Sequence, residues 1–295
     1  MKKLILITGT ILGCISLSYS QTSSMNYVGV KTMTKAIKDE NALSSLTSSS
    51  KMEQIIYYDG LGRAIQQINQ NSTPGGRNII TPMVYDEFGR QPKSYLPYTN
   101  LQGSPFFKDY ESDWNTVQPY YYQNAKRQAH TLFPYAEQSY ENSPLHRVTE
   151  QSAPGSSWKM GSGHTIQKQY LNNAANEVRL WTTNFSSTPR TTTVLSALGN
   201  TFYPQGSLTK TITTNEHDVP MIEFYDNLGR LVKRMLKDGE TSSGEGGPTP
   251  TYTTTYYVYD DFGRLAVVIP PKAYHLMETN NNFNTANLNE DLIYK

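Results

Sequence analysis

One six-residue motif, Tyr-Asp-x-(Leu/Phe)-Gly-Arg, occurs four times in this chain of 295 residues. The copies read YDGLGR, YDEFGR, YDNLGR and YDDFGR, and they begin at Tyr58, Tyr85, Tyr225 and Tyr259. A repeated motif with five restricted positions implies a repeated local structure, so it limits the possible folds more than any other feature. We call it the YD motif, and it predicts four equivalent turns.

Each YD motif has the composition of a β-hairpin loop. Aspartate can bond its own backbone two residues on, and glycine at the loop end tolerates a left-handed conformation. We expect the Leu or Phe to fold back as an apolar plug and the Tyr ring to stack on a neighbouring hairpin. We expect the Arg to pair with the Asp of its own or the next motif. The predicted structural turn residues are Tyr58, Asp59, Gly62, Arg63, Tyr85, Asp86, Gly89, Arg90, Tyr225, Asp226, Gly229, Arg230, Tyr259, Asp260, Gly263 and Arg264.

The composition agrees with a chain built from strands. Charged residues make up 17% of the chain, Tyr occurs 22 times, and the turn formers Gly and Pro contribute 20 and 16 residues. Such a chain favours strands joined by tight turns, and no sustained helical periodicity appears. The net charge of +1 gives no electrostatic reason to expect nucleic acid as a partner.

The N-terminus has the pattern of a secretory signal peptide. Residues 1–20 carry two Lys, then an apolar run, then small residues, which predicts cleavage between Ser20 and Gln21. The alternative is a lipoprotein box, ILGC, with Cys14 as the acylated residue. Either reading predicts an exported protein, secreted or held in the cell envelope. No other segment is apolar enough to cross a membrane, so we do not expect an integral membrane protein.

The remaining chain divides by composition and by motif position. The middle segment contains YQNAKRQAHTLF, residues 122–133, which could form a short helix. The predicted boundaries are 21–50 for a flexible lead-in, 51–98 for the first YD pair, 99–215 for an insert of mixed loops and strands, and 216–295 for the second YD pair.

The YD motif resembles the repeat of RHS-repeat (YD-repeat) proteins, which are very large secreted bacterial proteins. More narrowly, the chain resembles the N-terminal region of such proteins from Bacteroidetes. The matching stretches include YYDGLGRAIQQ, VYDEFGRQPKSYLPY, SPLHRVTEQSAPGSSW and VYDDFGRLAVVIPP. The resemblance implies a mainly β fold, with antiparallel hairpin repeats in a spiral or curved sheet, a loop-rich insert and little helix. It also implies a shell that packages a C-terminal effector, as in polymorphic toxins.

From this resemblance we expect a non-catalytic structural module whose partners are a downstream RHS core and an effector of the same parent protein. The chain ends in NLNEDLIYK, which reads like a strand just beginning, so we expect a fragment of a longer protein. The second and third YD motifs are farther apart than the outer pairs, which marks residues 99–215 as a family-specific insert.

Patterns for catalysis, metals and cofactors are weak, and none of these is predicted. Ser162 and His164 in GSGHT could face the same way, but a tight turn that enters the strand TIQKQYL is the favoured interpretation. Asp109, Glu111 and Asp113 could lie on one side of a strand, which leaves a secreted hydrolase as a distant third function.

The alternative function is a module that binds cell-surface glycan. It rests on the cluster QPYYYQ and on the three tryptophans, because aromatic faces stack on sugars. Exposure decides between this function and shell packing. The tryptophans are Trp114, Trp158 and Trp181.

Overall fold

The computed structural model describes residues 25–34, 50–99, 106–108, 117–124, 130–187, 190–196, 201–243, 247–280 and 283. These residues form sixteen strands and two short helices. Each strand pairing whose register is established is antiparallel. The predicted fold class, mainly β with antiparallel hairpins and little helix, is confirmed. The chain divides into two compact units.

Unit one comprises Met1–Tyr140 and Gln151–Thr165. Its main sheet has the order β1-β2-β3-β4-β6, and β5 pairs separately with β7. These elements are β1 (Asn26–Met33), β2 (Lys51–Tyr58), β3 (Ala64–Gln70), β4 (Ile79–Pro82), β5 (Lys93–Tyr95), β6 (Tyr98–Thr99), α1 (Val117–Asn124) and β7 (Tyr135–Tyr140).

Alternation along the strands builds the core of unit one. Ile55 and Tyr57 on β2 and Ile68 on β3 are almost fully buried, while their sequence neighbours are less so. This two-residue period places one face of each strand against the core. Tyr122 of α1 packs on the same cluster and donates a hydrogen bond to the carbonyl of Pro97.

Unit two comprises Glu141–Glu150 and Ile166–Lys295. Its sheet has the order β16-β15-β14-β13-β12-β9-β8, and β10 pairs with β11. The elements are β8 (Val148–Gln151), β9 (Ile166–Asn172), β10 (Trp181–Ser187), β11 (Arg190–Ser196), β12 (Thr209–Thr214), β13 (Pro220–Tyr225), β14 (Leu231–Ser243), β15 (Gly247–Tyr259), β16 (Leu265–Ile269) and α2 (Pro271–Thr279).

Helix α2 helps to close the core of unit two. It begins directly after Pro270, and Pro271 occupies the first turn, where a missing N–H costs nothing. Ala273, Tyr274 and Met277 lie on one face and pack in a cluster with Tyr256 of β15 and Ile269 of β16. A helix therefore follows the last strand and packs in the same core.

Two local predictions differ from the structure. Residues 26–33 were predicted to belong to a flexible lead-in, but they form β1, whose register places Val28 opposite Ile56 of β2. Tertiary pairing decides this strand, because its own sequence is short and only weakly patterned. Helix α1 spans Val117–Asn124, so it begins before the predicted stretch 122–133 and overlaps it only at its end. Residues 125–129 lie outside the described part of the chain.

Candidate functional site: the stacked YD turns

All four YD motifs form the same turn. In each, the Asp N–H donates to the Arg carbonyl at 2.9–3.0 Å, and the Gly N–H donates to the Asp carbonyl at 2.9–3.1 Å. The four glycines have φ between 75° and 79°. A β-bulge falls at the tyrosine in the three turns whose flanking strands pair directly, at Tyr58, Tyr225 and Tyr259. A type I turn closed by a left-handed glycine produces this bulge, so local chemistry explains the motif.

The aspartate is the centre of each turn. In the third copy, Asp226 Oδ1 accepts the N–H groups of Leu228 and Arg230 at 2.9 Å, and Oδ2 accepts Arg230 Nε at 2.6 Å. The other three copies repeat these bonds at 2.7–3.0 Å. The arginine therefore pairs with the Asp of its own motif.

These bonds shift the titration of the carboxylates. The backbone hydrogen bond from Arg63 lowers the pKa of Asp59, and the bond from Arg264 does the same for the pKa of Asp260. Burial raises the pKa of Asp226, but the bonds from Arg230 outweigh it, so the net shift is downward. Carboxylates held ionised in this way are poor general acids, which agrees with a structural role.

A tyrosine of the neighbouring strand lies against the arginine of each turn that has such a strand. In unit one the guanidinium carbon of Arg63 lies 4.4 Å from the ring centroid of Tyr85, and that of Arg90 lies 4.3 Å from Tyr140. In unit two Arg230 lies 4.8 Å from the ring of Tyr259. We call this contact the Arg–Tyr stack.

Strand register sets the stacks. Gln66 lies opposite Pro82 in the antiparallel β3–β4 pair. Three residues before Gln66 and three residues after Pro82, Arg63 meets Tyr85. The same offset from Lys93 opposite Glu137, and from Lys233 opposite Tyr256, leads to the other two stacks.

The tyrosine hydroxyl adds a second contact in two of these stacks. Tyr85 Oη donates to the carbonyl of Ala64 at 2.9 Å, and Tyr259 Oη donates to the carbonyl of Leu231 at 3.1 Å. In both cases the acceptor is the residue directly after the stacked arginine. The tyrosine therefore contacts both the arginine side chain and the backbone of the next residue, which fixes the register of the next strand.

The glycine of one turn also meets the arginine of the turn before it. A Cβ at Gly89 would lie 3.2 Å from a guanidinium nitrogen of Arg63, and a Cβ at Gly263 equally close to one of Arg230. A Cβ at Gly62 or Gly229 would meet nothing within 4 Å. The second glycine of each pair is thus required both by its φ and by close packing.

The Leu and Phe residues of the motif are not apolar plugs, so that prediction is wrong. All four side chains are more than half exposed. Instead of covering an apolar core, the rings of Phe88 and Phe262 lie near the arginines of their own turns, 4.8 and 5.1 Å from the guanidinium carbons of Arg90 and Arg264. The residues and their exposed fractions are Leu61 80%, Phe88 61%, Leu228 76% and Phe262 84%.

Sequence reasoning missed a fifth turn of this kind, which carries the fourth Arg–Tyr stack. Glu141 takes the place of Asp and accepts two bonds of 2.8 Å from the guanidinium of Arg147, and His146 takes the place of Gly with a φ of 49°. Arg147 lies 4.2 Å from the ring of Tyr170, whose hydroxyl donates to the carbonyl of Val148. The side-chain bond from Arg147 lowers the pKa of Glu141 to about 2. Two extra residues inside YENSPLHR hide this copy, although its Tyr, Leu and Arg remain visible.

Two further turns use the same backbone without the arginine stack. Asn215 Oδ1 accepts the N–H of Val219, and Asp218 has a φ of 58° in the place of glycine. Thr73 Oγ1 accepts the N–H of Arg77 at 2.8 Å, and Gly76 has a φ of 68°. An amide or hydroxyl oxygen can therefore replace the carboxylate as the acceptor in this turn.

A buried lysine in unit two was also missed. Lys233 Nζ donates to the carbonyl of Glu177 at 3.0 Å. The same Nζ lies 5.6 Å from the ring centroid of Phe224 and 5.5 Å from that of Tyr256. Burial lowers the pKa of Lys233 to about 8, although Glu177 and Glu278 oppose the shift. Its stem looks like an ordinary strand residue in the sequence, so only the fold reveals this environment.

Among the described residues, the catalytic candidates Ser162 and His164 lie in a tight loop. Ser162 Oγ accepts the backbone N–H of His164, and the His164 ring lies 5.4 Å from the ring of Trp158, which is the geometry of a tight loop. Within the described residues no three His, Cys, Asp or Glu side chains are grouped as metal ligands. Ser20, Gln21, Cys14, Asp109, Glu111 and Asp113 lie outside these residues.

The aromatic candidates divide between core and surface. Trp181 and Tyr122 are buried at 7% and 9% exposure, whereas Tyr120 and Trp158 are exposed at 64% and 37%. Trp114 lies outside the described residues. The buried members pack in the two cores, which is the outcome expected for packing. No helix in the described part of the chain has the length and apolar character to cross a bilayer.

A family model matches part of the chain. Residues 30–172 match the model described as "Domain of unknown function (DUF6443)". This match contains the first YD pair and the Glu141–Arg147 turn. No curated protein matches the chain.

Two solved structures show a distant likeness. They are crystal structures of TcdB2-TccC3-TEV, at 15% identity, and of TcdB2-TccC3-Cdc42, at 16% identity, each with a TM-score of 0.44. In both comparisons 80% of this chain is covered, and the chain spans about 10% of the length of those proteins.

Proposed function

We propose that this chain is a non-catalytic structural module of a large exported YD-repeat protein of the RHS type. In that protein it contributes strands to a β-shell that packages or presents a C-terminal effector. The observation that carries the proposal is the Arg–Tyr stack. It joins the first three motifs to the neighbouring strand, so the motif works as a connector between hairpins.

The use of the charged residues supports a structural role. Each motif Asp accepts three hydrogen bonds from within its own turn, and each of the first three motif arginines is held between that Asp and a tyrosine. The carboxylates and guanidiniums are distributed over separate turns, whereas catalysis requires them at one place. The aromatic residues support glycan binding less well, since Trp181 and Tyr122 are committed to the cores.

Export through residues 1–20, with cleavage after Ser20, belongs to the same proposal. Acylation at Cys14 is the alternative route to the cell envelope. Mass spectrometry of the mature N-terminus distinguishes them, because cleavage after Ser20 leaves Gln21 first and acylation leaves a lipid-bearing Cys14.

Limited proteolysis of the parent polypeptide tests the shell. The intact parent is compared with a form that lacks residues 25–280 and with a Ser162→Ala/His164→Ala form. We expect the deletion to make the C-terminal region protease-sensitive and the double substitution to leave it protected. Unchanged protection after the deletion, or a reading frame that ends at Lys295, would contradict the proposal.

A further inference from the structure

The last arginine of the series, Arg264, differs from the others in its surroundings. Its side chain is 74% exposed, whereas those of the four stacked arginines are between 23% and 37% exposed. It keeps the ion pair with Asp260 and lies 5.1 Å from the ring of Phe262 in its own turn. Among the described residues, no tyrosine of a further strand is stacked on it.

The strand that follows Arg264 is the last in its sheet. β16 pairs with β15 on one side, and within the described part of the chain no strand pairs with its other edge. The residues LAVVI are apolar, and such an edge exposes a row of backbone donors and acceptors. In the described part of the chain, an exposed arginine and an edge without a paired strand therefore occur at the same place.

The completed stacks define what fits this place. In each, a strand pairs antiparallel with the strand after the arginine, and a tyrosine lies opposite the arginine. Where the tyrosine hydroxyl donates to a backbone carbonyl, as Tyr259 does to Leu231, the acceptor belongs to the residue directly after the arginine. By continuity, a partner strand on β16 would present a tyrosine to Arg264 and to the carbonyl of Leu265.

We infer that the outer edge of β16, together with Arg264, is a docking edge for the incoming strand of another YD hairpin. The occupant is an extended segment whose tyrosine directly precedes the aspartate of a YD turn. Its register is fixed, because the residue three positions before that tyrosine must lie opposite Val267. This inference rests on the proposed function and names the partner of its open edge.

A peptide in trans tests the edge directly. The probe is a labelled peptide with the sequence of residues 251–263, TYTTTYYVYDDFG, which already forms such a strand within this chain. Fluorescence polarisation measures its binding to the full chain, and hydrogen exchange of the 265–269 amides reports where it binds. We expect saturable binding and slower exchange in β16.

Variants on both sides separate the stack from simple edge pairing. Arg264→Ala should weaken binding up to about tenfold, the size of one desolvated cation–π contact, and leaves the carbonyl of Leu265 free to accept the hydroxyl bond. Tyr259→Ala in the peptide should weaken it similarly, and combining the two should add little. Arg77→Ala, an exposed turn arginine, is the matched control and should change nothing. A peptide with one residue inserted between the tyrosine and the strand tests the register.

Several results would overturn the inference. These are no binding, binding that ignores both Arg264 and the peptide tyrosine, or a dimer of the chain through β16 that the peptide cannot dissociate. If the parent protein still protects its C-terminal region while Arg264→Ala leaves peptide binding unchanged, the inference fails and the proposed function stands. If the protection is absent but the stack-dependent binding is present, the reverse holds.

Discussion

The guanidinium of Arg230 lies between the carboxylate of Asp226, at 2.6 Å, and the ring of Tyr259, 4.8 Å from its centroid. One contact closes the arginine's own turn, and the other holds the next strand. Arg264 has the first contact with Asp260, but its side chain is 74% exposed. Comparing substitutions of the two arginines therefore measures how much the Arg–Tyr stack contributes to the free energy of unfolding.

Arg230→Ala should lower the free energy of unfolding more than Arg264→Ala does. Both changes remove an ion pair within a turn, but only the first removes an Arg–Tyr stack and leaves Tyr259 without its cover. We expect a difference of about 1–2 kcal/mol. Urea denaturation of the two variants measures it, and equal losses would show that the stack contributes nothing.

Gly263→Ala should cost more stability than Gly229→Ala. Both glycines have nearly the same φ, 77° and 75°, so the strain of a left-handed alanine is about 1 kcal/mol in each. Only the Cβ at position 263 meets Arg230, at 3.2 Å. Melting temperatures of the two variants test this, and Gly89→Ala against Gly62→Ala repeats the comparison in unit one. A lower melting temperature for Gly229→Ala would contradict the packing argument.

Asp226→Asn should be tolerated better than Asp226→Ala. Asparagine keeps an oxygen that can accept the N–H groups of Leu228 and Arg230, as Asn215 does in its own turn, whereas alanine leaves both donors without their acceptor. The alanine variant should lose about 1–2 kcal/mol, the usual cost of removing such an acceptor.

The stability of Asp226→Asn should also depend less on acidic pH than that of the wild type. The pKa of Asp226 is lower in the folded protein than in the unfolded chain, so its contribution is present above the unfolded pKa of 3.8. That contribution disappears as the pH falls through the folded pKa. Asp226→Asn should therefore lose less stability than the wild type on acidification below pH 4, measured by thermal melts. An identical acid response would show that the carboxylate charge is not stabilising.

Lys233 should make the protein more stable as the pH rises from 8 to about 9.5. Its folded pKa is about 8, against 10.5 for the ordinary side chain. In that interval the unfolded chain binds a proton that the folded chain does not, so the slope is positive and at most about 1.4 kcal/mol per pH unit. Above pH 10 the buried tyrosines reverse the trend, since burial raises the pKa of Tyr122 to about 12.

Lys233→Met checks the origin of that slope. Methionine fills a similar volume without a titrating group, so stability should become flat between pH 8 and 9.5. Lys237→Met, on the same strand with a side chain a quarter exposed, should keep the slope. Denaturant midpoints at several pH values give the answer, and a slope that survives Lys233→Met would assign the effect to another group.

Leu228→Ser and Phe262→Ser should leave stability within about 0.5 kcal/mol of the wild type, as is usual for surface changes. Both side chains are at least three-quarters exposed. Val232→Ser, at a position with 3% exposure, is the contrast and should cost several times more. A large loss at Leu228 would revive the idea of an apolar plug.

The YD turns could be predicted from the sequence, because every bond that shapes them joins residues at most four positions apart. Asp226 needs only Leu228 and Arg230 to form its turn, and the left-handed glycine is a local requirement. The antiparallel, mainly β character followed from the same repeats. The Glu141 and Asn215 turns were not predicted, because they share the backbone conformation of the YD turns but not the amino acids of the YD motif.

Long-range packing sets which tyrosine lies on which arginine, which side chains are exposed, and which lysine is buried. Arg63 and Tyr85 are 22 positions apart, and they meet because the register of β3 and β4 brings them opposite each other. Leu61 is exposed because the turn directs it away from the core, and Lys233 is buried because its strand faces Phe224 and Tyr256. Register and burial depend on contacts between segments that are distant in the sequence, and a six-residue motif does not contain information about such contacts.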